Sequence, residues 1–84
     1  MRFVYMVRCN DDSLYTGITN DLEKRIFDHN NSKIWAKYTK SRRPVVLVWS
    51  TKVIDRNTAS KLELKIKKKW KQKKEEIVVS GYDQ

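Results

Sequence analysis

Residues 13–30, SLYTGITNDLEKRIFDHN, change from a strand pattern to a helix pattern within one short stretch. The first half alternates its side chains between two faces, which is typical of a β-strand. The second half places Leu22 and Ile26 one helical turn apart, and Arg25 and His29 one turn apart on another side. The stretch therefore predicts a strand that leads into a helix with an arginine and a histidine on its polar side.

The segment before this stretch, residues 2–9, reads RFVYMVRC and is apolar on both strand faces. Such a pattern predicts a strand in the middle of a sheet, with both faces covered. The intervening NDDS favours a turn, so the two strands are expected to form an antiparallel hairpin. A three-residue turn at residues 10–12 would pair Cys9 with Ser13, Val7 with Tyr15, and Tyr5 with Gly17.

In this register Tyr5 and Tyr15 project from the same face of the sheet. Gly17 has no side chain, so it would leave an open floor between the tyrosines where a ligand could reach the backbone. A register slip by one residue would separate the two phenols, which would then be ordinary strand residues. The pairing of the hairpin therefore decides whether this face can carry a site.

The helix after the hairpin is expected to end near the histidine of HNNS. Thr19 or Asn20 is predicted to cap its N-terminus, and Asn20 with Glu23 resembles a capping box. Residues 31–43 are strongly basic, and we expect them to be irregular or to hold one helical turn around residues 34–37.

The second half of the chain predicts one strand and two helices. PVVLVWST, which starts at Pro44, is typical of a strand that is apolar on both faces. DRNT offers caps for a long helix from about residue 57, and a short helix is expected over residues 71–78. The buried stripe of the long helix is predicted to be Ala59, Leu62, Ile66 and Trp70.

These elements follow the order β-β-α-β-α-α. The order predicts an α+β fold in which helices flank a three-stranded antiparallel sheet. A chain of 84 residues suffices for one domain, which we expect over residues 1–78, followed by a flexible tail at residues 79–84.

Charge and composition narrow the class of function. Nineteen Lys and Arg against ten Asp and Glu give a net charge of +9, which favours a polyanionic partner and above all nucleic acid. No stretch joins a strong apolar face to its lysines, and no run approaches the roughly 18 apolar residues of a spanning helix. A membrane partner is therefore not expected. The single cysteine, Cys9, is expected to be a small core residue. Because one cysteine cannot form an internal disulfide, a reducing cytoplasm is the expected location.

Arg25 and His29 are candidate catalytic residues because they share one side of a helix. An arginine can bind a phosphate through two N–H donors, and a histidine can exchange a proton at neutral pH. The alternative is a solvated helix face with an Asp21–Arg25 ion pair.

Glu63 is the candidate metal ligand, since it lies beside the apolar stripe of a helix otherwise rich in lysine. Magnesium at a phosphodiester site usually needs one or two carboxylates, with water and phosphate oxygens completing its shell. One glutamate is therefore sufficient. An i,i+4 ion pair with Lys67 fits the spacing equally well.

Two basic segments are candidate nucleic-acid surfaces. Residues 65–74, KIKKKWKQKK, can attract phosphates without sequence choice, although lysine runs are usually solvated faces. In the other segment a base can stack on Trp35 or Tyr38, although Trp35 fits core packing equally well. The cations around these rings are Lys33, Lys37, Lys40, Arg42 and Arg43.

Taken together, the motifs resemble the GIY-YIG nuclease superfamily. VYM at residues 4–6 and YTG at residues 15–17 are similar to its paired tyrosine motifs. NDLEKRIFDHN resembles its arginine helix, AKYTKSRRPVVLVW its third-strand approach, and ASKLELKIKK its glutamate helix. The resemblance spans about residues 2–70. It is greatest to a small single-domain bacterial branch of uncharacterised proteins, and it extends to the catalytic domain of eukaryotic nucleases that resolve branched DNA.

The resemblance implies that Tyr5, Tyr15, Arg25 and Glu63 converge on one scissile phosphate. It implies further that Glu63 holds one Mg²⁺ or Mn²⁺ ion, that Arg25 neutralises charge on the phosphoryl group, and that Gly17 gives access to the backbone. Either Tyr5 or His29 would activate the attacking water. Substrate contacts are expected from Gly17, Lys37, Tyr38, Arg42 and Arg43.

The sequence also departs from the family pattern. Phe3 stands where the first motif usually has glycine, and Thr16 replaces the usual isoleucine of the second. No residue after Glu63 clearly matches the late asparagine of many members, and Ile34 and Trp35 stand where relatives tend to have glycine. Full-length relatives also gain specificity from attached DNA-binding domains, and none is expected in this chain.

The sequence therefore predicts a metal-dependent endonuclease that cleaves phosphodiester bonds in DNA and selects substrate structure more than sequence. DNA is favoured over RNA as the partner, and a separate protein could supply specificity. The rival prediction is a non-catalytic DNA- or RNA-binding module on the same scaffold, and a third is a protein-interaction module that uses Tyr15.

Overall fold

The computed structural model describes residues 1–32 and 37–82, and for residues 37 and 38 it describes the backbone alone. Its strands are β1 (Arg2–Arg8), β2 (Leu14–Thr19) and β3 (Val46–Val53). Its helices are α1 (Leu22–Asn31), α2 (Lys37–Lys40), α3 (Arg56–Lys67) and α4 (Lys71–Ser80). The predicted α+β class is confirmed, and the one-turn helix α2 is added between α1 and β3.

Two segment boundaries differ from the sequence prediction. The basic segment has its helical turn at Lys37–Lys40, whereas residues 34–36, where a turn was expected, lie outside the described residues. At the other end of the chain, α4 continues to Ser80, and Tyr82 is partly buried against the core. The packed part of the chain therefore extends into the predicted tail, and residues 83–84 are outside the description.

β1 is the central strand of the sheet, whose order is β2-β1-β3 with antiparallel pairing throughout. Tyr5 pairs with Gly17, and Val7 pairs with Tyr15. This is the predicted register. Because side chains alternate along each strand, Tyr5 and Tyr15 project from the same sheet face.

The turn between β1 and β2 closes as the sequence predicts. The Cys9 N–H donates to the Ser13 carbonyl at 2.8 Å, and the Asp11 carboxylate accepts from the Ser13 N–H at 3.1 Å. Asp12 adopts a left-handed φ of 69°, which aspartate tolerates better than most residues. Local turn chemistry thus fixes the register that brings the two tyrosines together.

The two faces of the sheet pack against different helices. Tyr5 and Val7 of one face cluster with Val45 and are covered by Leu22 and Ile26 of α1. The opposite face is covered by α3 and α4, through a cluster of Val4, Met6, Leu14, Ala59, Leu62, Ile66 and Ile77. Since β1 is covered on both sides, it needs apolar residues on both faces, as its sequence indicates.

Two apolar segments are more exposed than the sequence indicates. Trp70 was predicted in the buried stripe of the long helix, and this is wrong, because α3 ends at Lys67 and Trp70 precedes α4 with 82% exposure. β3 is an edge strand, and Val46 remains 60% exposed on it. Trp49 of the same strand is partly buried against the core.

Aspartates cap the two long helices. Asp21 caps α1 by accepting from the Lys24 N–H at 3.2 Å, so the predicted cap at Thr19 or Asn20 is wrong by one or two positions. Thr19 instead supports the cap, since its hydroxyl accepts from the Asp21 N–H at 3.0 Å. Asp55 of DRNT caps α3, as predicted.

A charged cluster ties the hairpin to α4. The Arg8 guanidinium donates two hydrogen bonds to the Glu75 carboxylate, at 2.7 and 2.6 Å, and Lys71 Nζ lies 3.0 Å from the same carboxylate. These donors lower the pKa of Glu75 from 4.5 to about 2. Such bidentate pairs fix geometry as well as adding energy. The cluster therefore orients α4 against the end of β1.

We expect Glu75→Gln to destabilise the fold by about 1 kcal/mol, which lowers the melting temperature by roughly 4–8 °C in a domain of this size. The pKa of Glu75 is lowered on folding, so its contribution is present above pH 4.5 and is lost as pH falls towards about 2. Thermal unfolding followed by circular dichroism between pH 2 and 7 measures the difference.

Glu76→Gln is the matched control, because Glu76 is more exposed than Glu75. Among the described ion pairs, Glu76 has one partner, Lys73, at 3.7 Å. A melting temperature for Glu75→Gln equal to that of this control at pH 7 would contradict the role given to the cluster.

Candidate active site

A buried hydrogen-bonded chain joins β1, α1 and α2. Tyr5 Oη lies 2.7 Å from His29 Nε2, and His29 Nδ1 lies 2.8 Å from Thr39 Oγ1. All three side chains are fully buried. Buried polar groups are stable only when they are paired, so this chain fixes the position of each ring.

Gly17 makes room for the Tyr5 phenol. A Cβ on Gly17 would lie 2.5 Å from Tyr5 Oη and 2.7 Å from Tyr5 Cζ. The phenol therefore occupies the space above Gly17. The expectation that this space is open to a ligand is wrong. The glycine is required because no side chain fits between the strand and the phenol.

Tyr15 lies at the outer side of the same cluster. Its ring centroid is 5.3 Å from that of His29 at an interplanar angle of 68°, and the Tyr5 ring is 5.8 Å from His29 at 61°. Both are edge-on arrangements that aromatic rings favour. Tyr15 is only partly buried, so of the two tyrosines it is the one that solvent reaches.

Arg25 approaches the chain from the preceding turn of α1. Its Nη1 donates to the Ile18 carbonyl at 3.2 Å, and the positive charge of its guanidinium acts on the Tyr5 phenol. The side chain thus faces the sheet. The Asp21 carboxylate, its expected alternative partner, accepts from the Lys24 N–H as the cap of α1.

Glu63 belongs to α3, which lies on the other side of the sheet from Tyr5. α3 covers the face opposite Tyr5 and packs beside edge strand β2. The charge of Glu63 nevertheless acts on the Tyr5 phenol, and Lys67 of the same helix lies over the Tyr15 ring. The Glu63 carboxylate is 19% exposed and lies 3.3 Å from Lys67 Nζ.

The structure therefore places Tyr5, Tyr15, Arg25 and His29 in one cluster, and Glu63 adjoins this cluster through Lys67 and through its charge. They form two layers. Tyr5 and His29 lie inside, with Thr39 behind them, whereas Tyr15, Arg25 and Glu63 are partly exposed.

Burial keeps the inner residues neutral. It raises the pKa of Tyr5 to about 12, an effect that the neighbouring Arg25 guanidinium opposes. Burial also lowers the pKa of His29 to about 4, and the positive charge of Arg25 adds to this shift. At neutral pH the phenol is protonated and the imidazole is uncharged.

The direction of the hydrogen bonds follows from these charges. Because the positive charge of Arg25 acts on the phenol oxygen, it favours the orientation in which the phenol hydrogen is directed to His29 Nε2. His29 then carries its hydrogen on Nδ1 and donates it to Thr39 Oγ1. Since both residues are buried, neither Tyr5 nor His29 reaches bulk water directly.

Glu63 is compatible with a single divalent ion. Among residues 1–32 and 37–82, no group of three or more histidines, cysteines and acids has metal-ligand geometry. A site for Mg²⁺ would therefore take one carboxylate from the protein and its other oxygens from water and phosphate, a composition that Mg²⁺ accepts. The partial exposure of the Glu63 carboxylate leaves room for that shell.

Several predicted substrate-binding residues lie away from this cluster or have other partners. Arg43 Nε donates to the His29 carbonyl at 2.6 Å, and its Nη2 donates to the Ser32 carbonyl, so it covers the C-terminal carbonyls of α1. Arg42 Nε lies 2.9 Å from Asp11 Oδ2. The side chains of Lys37 and Tyr38, and all of Trp35, lie outside the described residues. Substrate binding by these residues stays a prediction.

Sequence reasoning missed Thr39 and gave Lys67 only as an alternative ion-pair partner. Thr39 has no periodic relation to His29, and only the position of α2 brings it to the imidazole. The signal for Lys67 was present in its i,i+4 spacing from Glu63.

Thr16, one of the departures from the motif pattern, lies on the sheet face opposite the tyrosines. Its hydroxyl is buried and has no hydrogen-bond partner among the described residues. Isoleucine, the usual residue there, would place only apolar atoms at this position. The variation therefore leaves the tyrosine face unchanged, because Thr16 points to the opposite face.

Comparisons with known proteins identify the family of this chain. Residues 1–76 match the model of the GIY-YIG catalytic domain. A UPF0213 protein of Desulfotalea psychrophila is 54% identical over 77% of this chain and 59% of its own length. A UPF0213 protein of Staphylococcus saprophyticus is 47% identical over 94% of this chain and 95% of its own length.

A solved structure is similar as well. The solution NMR structure of a UPF0213 protein of Bacillus halodurans aligns with a TM-score of 0.61 and 37% identity, over 96% of this chain and 87% of that chain. The relatives are thus small bacterial proteins whose length is close to that of this domain, apart from the longer Desulfotalea protein.

We expect Gly17→Ala to destabilise the protein by about 1–3 kcal/mol, because the new methyl group overlaps the Tyr5 phenol. Urea unfolding measures the change. Adding Tyr5→Phe to Gly17→Ala removes the atom closest to the methyl group, so the double variant should lose less than the sum of the two single changes. Additive losses, or a Gly17→Ala protein as stable as the wild type, would contradict the close approach.

Proposed function

The chain belongs to the GIY-YIG family, and on that premise we propose that it is a metal-dependent endonuclease that cleaves phosphodiester bonds in DNA. One observation carries the proposal. Two tyrosines, an arginine and a histidine from β1, β2 and α1 form one cluster, and the charge of Glu63 from α3 acts on its Tyr5 phenol. A packed fold that needed only stability would gain little from this collection of polar groups.

Arg25 binds and neutralises the scissile phosphate in this proposal. Its guanidinium donates to the Ile18 carbonyl and lies where its charge acts on the Tyr5 phenol, which leaves it pre-oriented before the substrate arrives. Positive charge placed where negative charge develops is usually the largest single contribution to such a reaction.

Glu63 is the residue that would hold one Mg²⁺ or Mn²⁺ ion. When bound, the ion supplies Lewis-acid polarisation of the phosphate and stabilises the leaving oxygen. The carboxylate position is set by α3, whose buried Leu62 and Ile66 fix the rotation of the helix.

The tyrosines and His29 act at different depths. Tyr15 is partly exposed, so its hydroxyl faces the nucleic acid and orients the attacking water. Tyr5 and His29 are positioning residues in this proposal because both are fully buried, and Tyr15 takes the role at the attacking water that was expected of Tyr5 or His29. They hold Arg25 and the Tyr15 ring in place and do not take the proton of the attacking water.

The net charge of +9 supports nucleic acid as the substrate, with DNA preferred over RNA. Cleavage is expected to depend on the shape of the substrate more than its sequence, and a separate protein could add specificity. The buried free Cys9 is compatible with a reducing cytoplasm. Among the described residues, no helix is long and apolar enough to cross a bilayer.

A second function is favoured by one contact. Lys67 already neutralises the Glu63 carboxylate, which is the group a metal would need. The same scaffold would then serve as a non-catalytic module that binds DNA or RNA.

A nicking assay with supercoiled, single-stranded and branched DNA distinguishes the two functions. We expect cleavage only with Mg²⁺ or Mn²⁺, and we expect Glu63→Gln and Arg25→Ala each to lower the rate on the order of 10²–10³-fold. Glu23→Gln is the control, because Glu23 is an exposed acid in the first turn of α1.

Cleavage that survives Glu63→Gln or Arg25→Ala at the wild-type rate would overturn the nuclease proposal. Salt-sensitive binding without cleavage in any divalent ion would favour the binding module.

A further inference from the structure

Lys67 lies inside the candidate site, although the roles given above do not use it. Its Nζ is 3.3 Å from Glu63 Oε2 and 6.0 Å from the Tyr15 ring centroid. The ammonium therefore faces both the carboxylate that would hold the ion and the phenol that faces the nucleic acid.

The geometry of α3 holds this pair in place. Leu62 and Ile66 are buried, which fixes the rotation of the helix about its axis. Glu63 and Lys67 follow them by one position and are one turn apart, so both lie on the adjoining side next to β2. The base of the Lys67 side chain is thus held beside the carboxylate by a rigid element.

The Lys67 side chain is still 46% exposed, whereas the Glu63 side chain is 19% exposed. A lysine ammonium is a point charge on a flexible stem with three donors, so it can change partner over several ångströms. A divalent ion on Glu63 would repel the ammonium and take its position on the carboxylate.

We propose that Lys67 is the resident cation of the Glu63 carboxylate and exchanges with the divalent ion. Without the ion, Lys67 neutralises Glu63. When the ion occupies Glu63, Lys67 moves its ammonium to a phosphate oxygen of the bound nucleic acid. This inference rests on the proposed function, and it assigns Lys67 a substrate contact that exists only in the metal-bound state.

The exchange has a chemical consequence for substrate binding. Before the ion binds, the charges of Lys67 and Glu63 cancel each other, and Arg25 is the cation whose charge acts on the Tyr5 phenol among the described residues. After the ion binds, the same region gains the charge of the ion and the released ammonium. The site therefore attracts a phosphate more strongly once the ion is present.

The first test measures binding of Mn²⁺ to the whole protein without nucleic acid, by electron paramagnetic resonance. Lys67→Met should bind Mn²⁺ about two- to fivefold more tightly than the wild type, because the competing ammonium is gone. Lys65→Met is the matched control, since Lys65 is an exposed lysine in the last turn of the same helix. It removes the same charge and should leave the Mn²⁺ affinity close to that of the wild type.

The second test measures binding of a short duplex DNA at several salt concentrations, with Ca²⁺ or with EDTA. In Ca²⁺, Lys67→Met should reduce the slope of log K against log salt by about one, which corresponds to one lost phosphate contact. In EDTA the slopes of Lys67→Met and the wild type should agree, because Lys67 remains on Glu63. Circular dichroism confirms that each variant is folded.

The proposal is overturned if Lys67→Met binds Mn²⁺ no more tightly than the wild type, or if Lys65→Met tightens binding equally. Absence of Mn²⁺ binding in both the wild type and Lys67→Met also overturns it, as does an unchanged salt slope in Ca²⁺. Neither readout depends on cleavage. A protein that shows both effects but does not cut DNA would disprove the nuclease function and leave the exchange standing.

Discussion

The hydrogen bond between Tyr5 Oη and His29 Nε2 joins the central strand to α1 in the interior of the protein, at 2.7 Å. Both side chains are fully buried, so each requires the other as a polar partner. Gly17 on the neighbouring strand provides the space for the phenol, and Thr39 provides the second partner of the imidazole. The hairpin register, the rotation of α1 and the position of α2 must therefore agree for this one bond to form.

The partly exposed residues depend on that interior arrangement. The charge of Arg25 acts on the Tyr5 phenol, and Tyr15 packs edge-on against the His29 ring. Glu63 and Lys67 arrive from the opposite face of the sheet, past the edge strand β2. The site thus combines a rigid, neutral interior with a charged outer layer. This division explains how a domain of 84 residues can hold several cations beside one carboxylate and remain folded.

Much of this arrangement could be predicted from the sequence, because local chemistry decides it. The turn residues set the register of Tyr5 with Gly17, and helical spacing places Arg25 beside His29. What could not be predicted depends on packing between distant segments. Trp70 has the right spacing for the buried stripe of α3, but the helix ends before it. The depth of Tyr5 and the partner of Thr39 likewise follow from tertiary contacts that no periodicity encodes.

Tyr5 and His29 thus form a neutral, buried pair at neutral pH. The most direct test is a pH titration of the His29 ring nitrogens by ¹⁵N NMR. We expect a neutral imidazole with its hydrogen on Nδ1 throughout pH 6–8, and protonation of the His29 ring only near pH 4. Titration of His29 near pH 6.5, or a hydrogen on Nε2 at neutral pH, would contradict it.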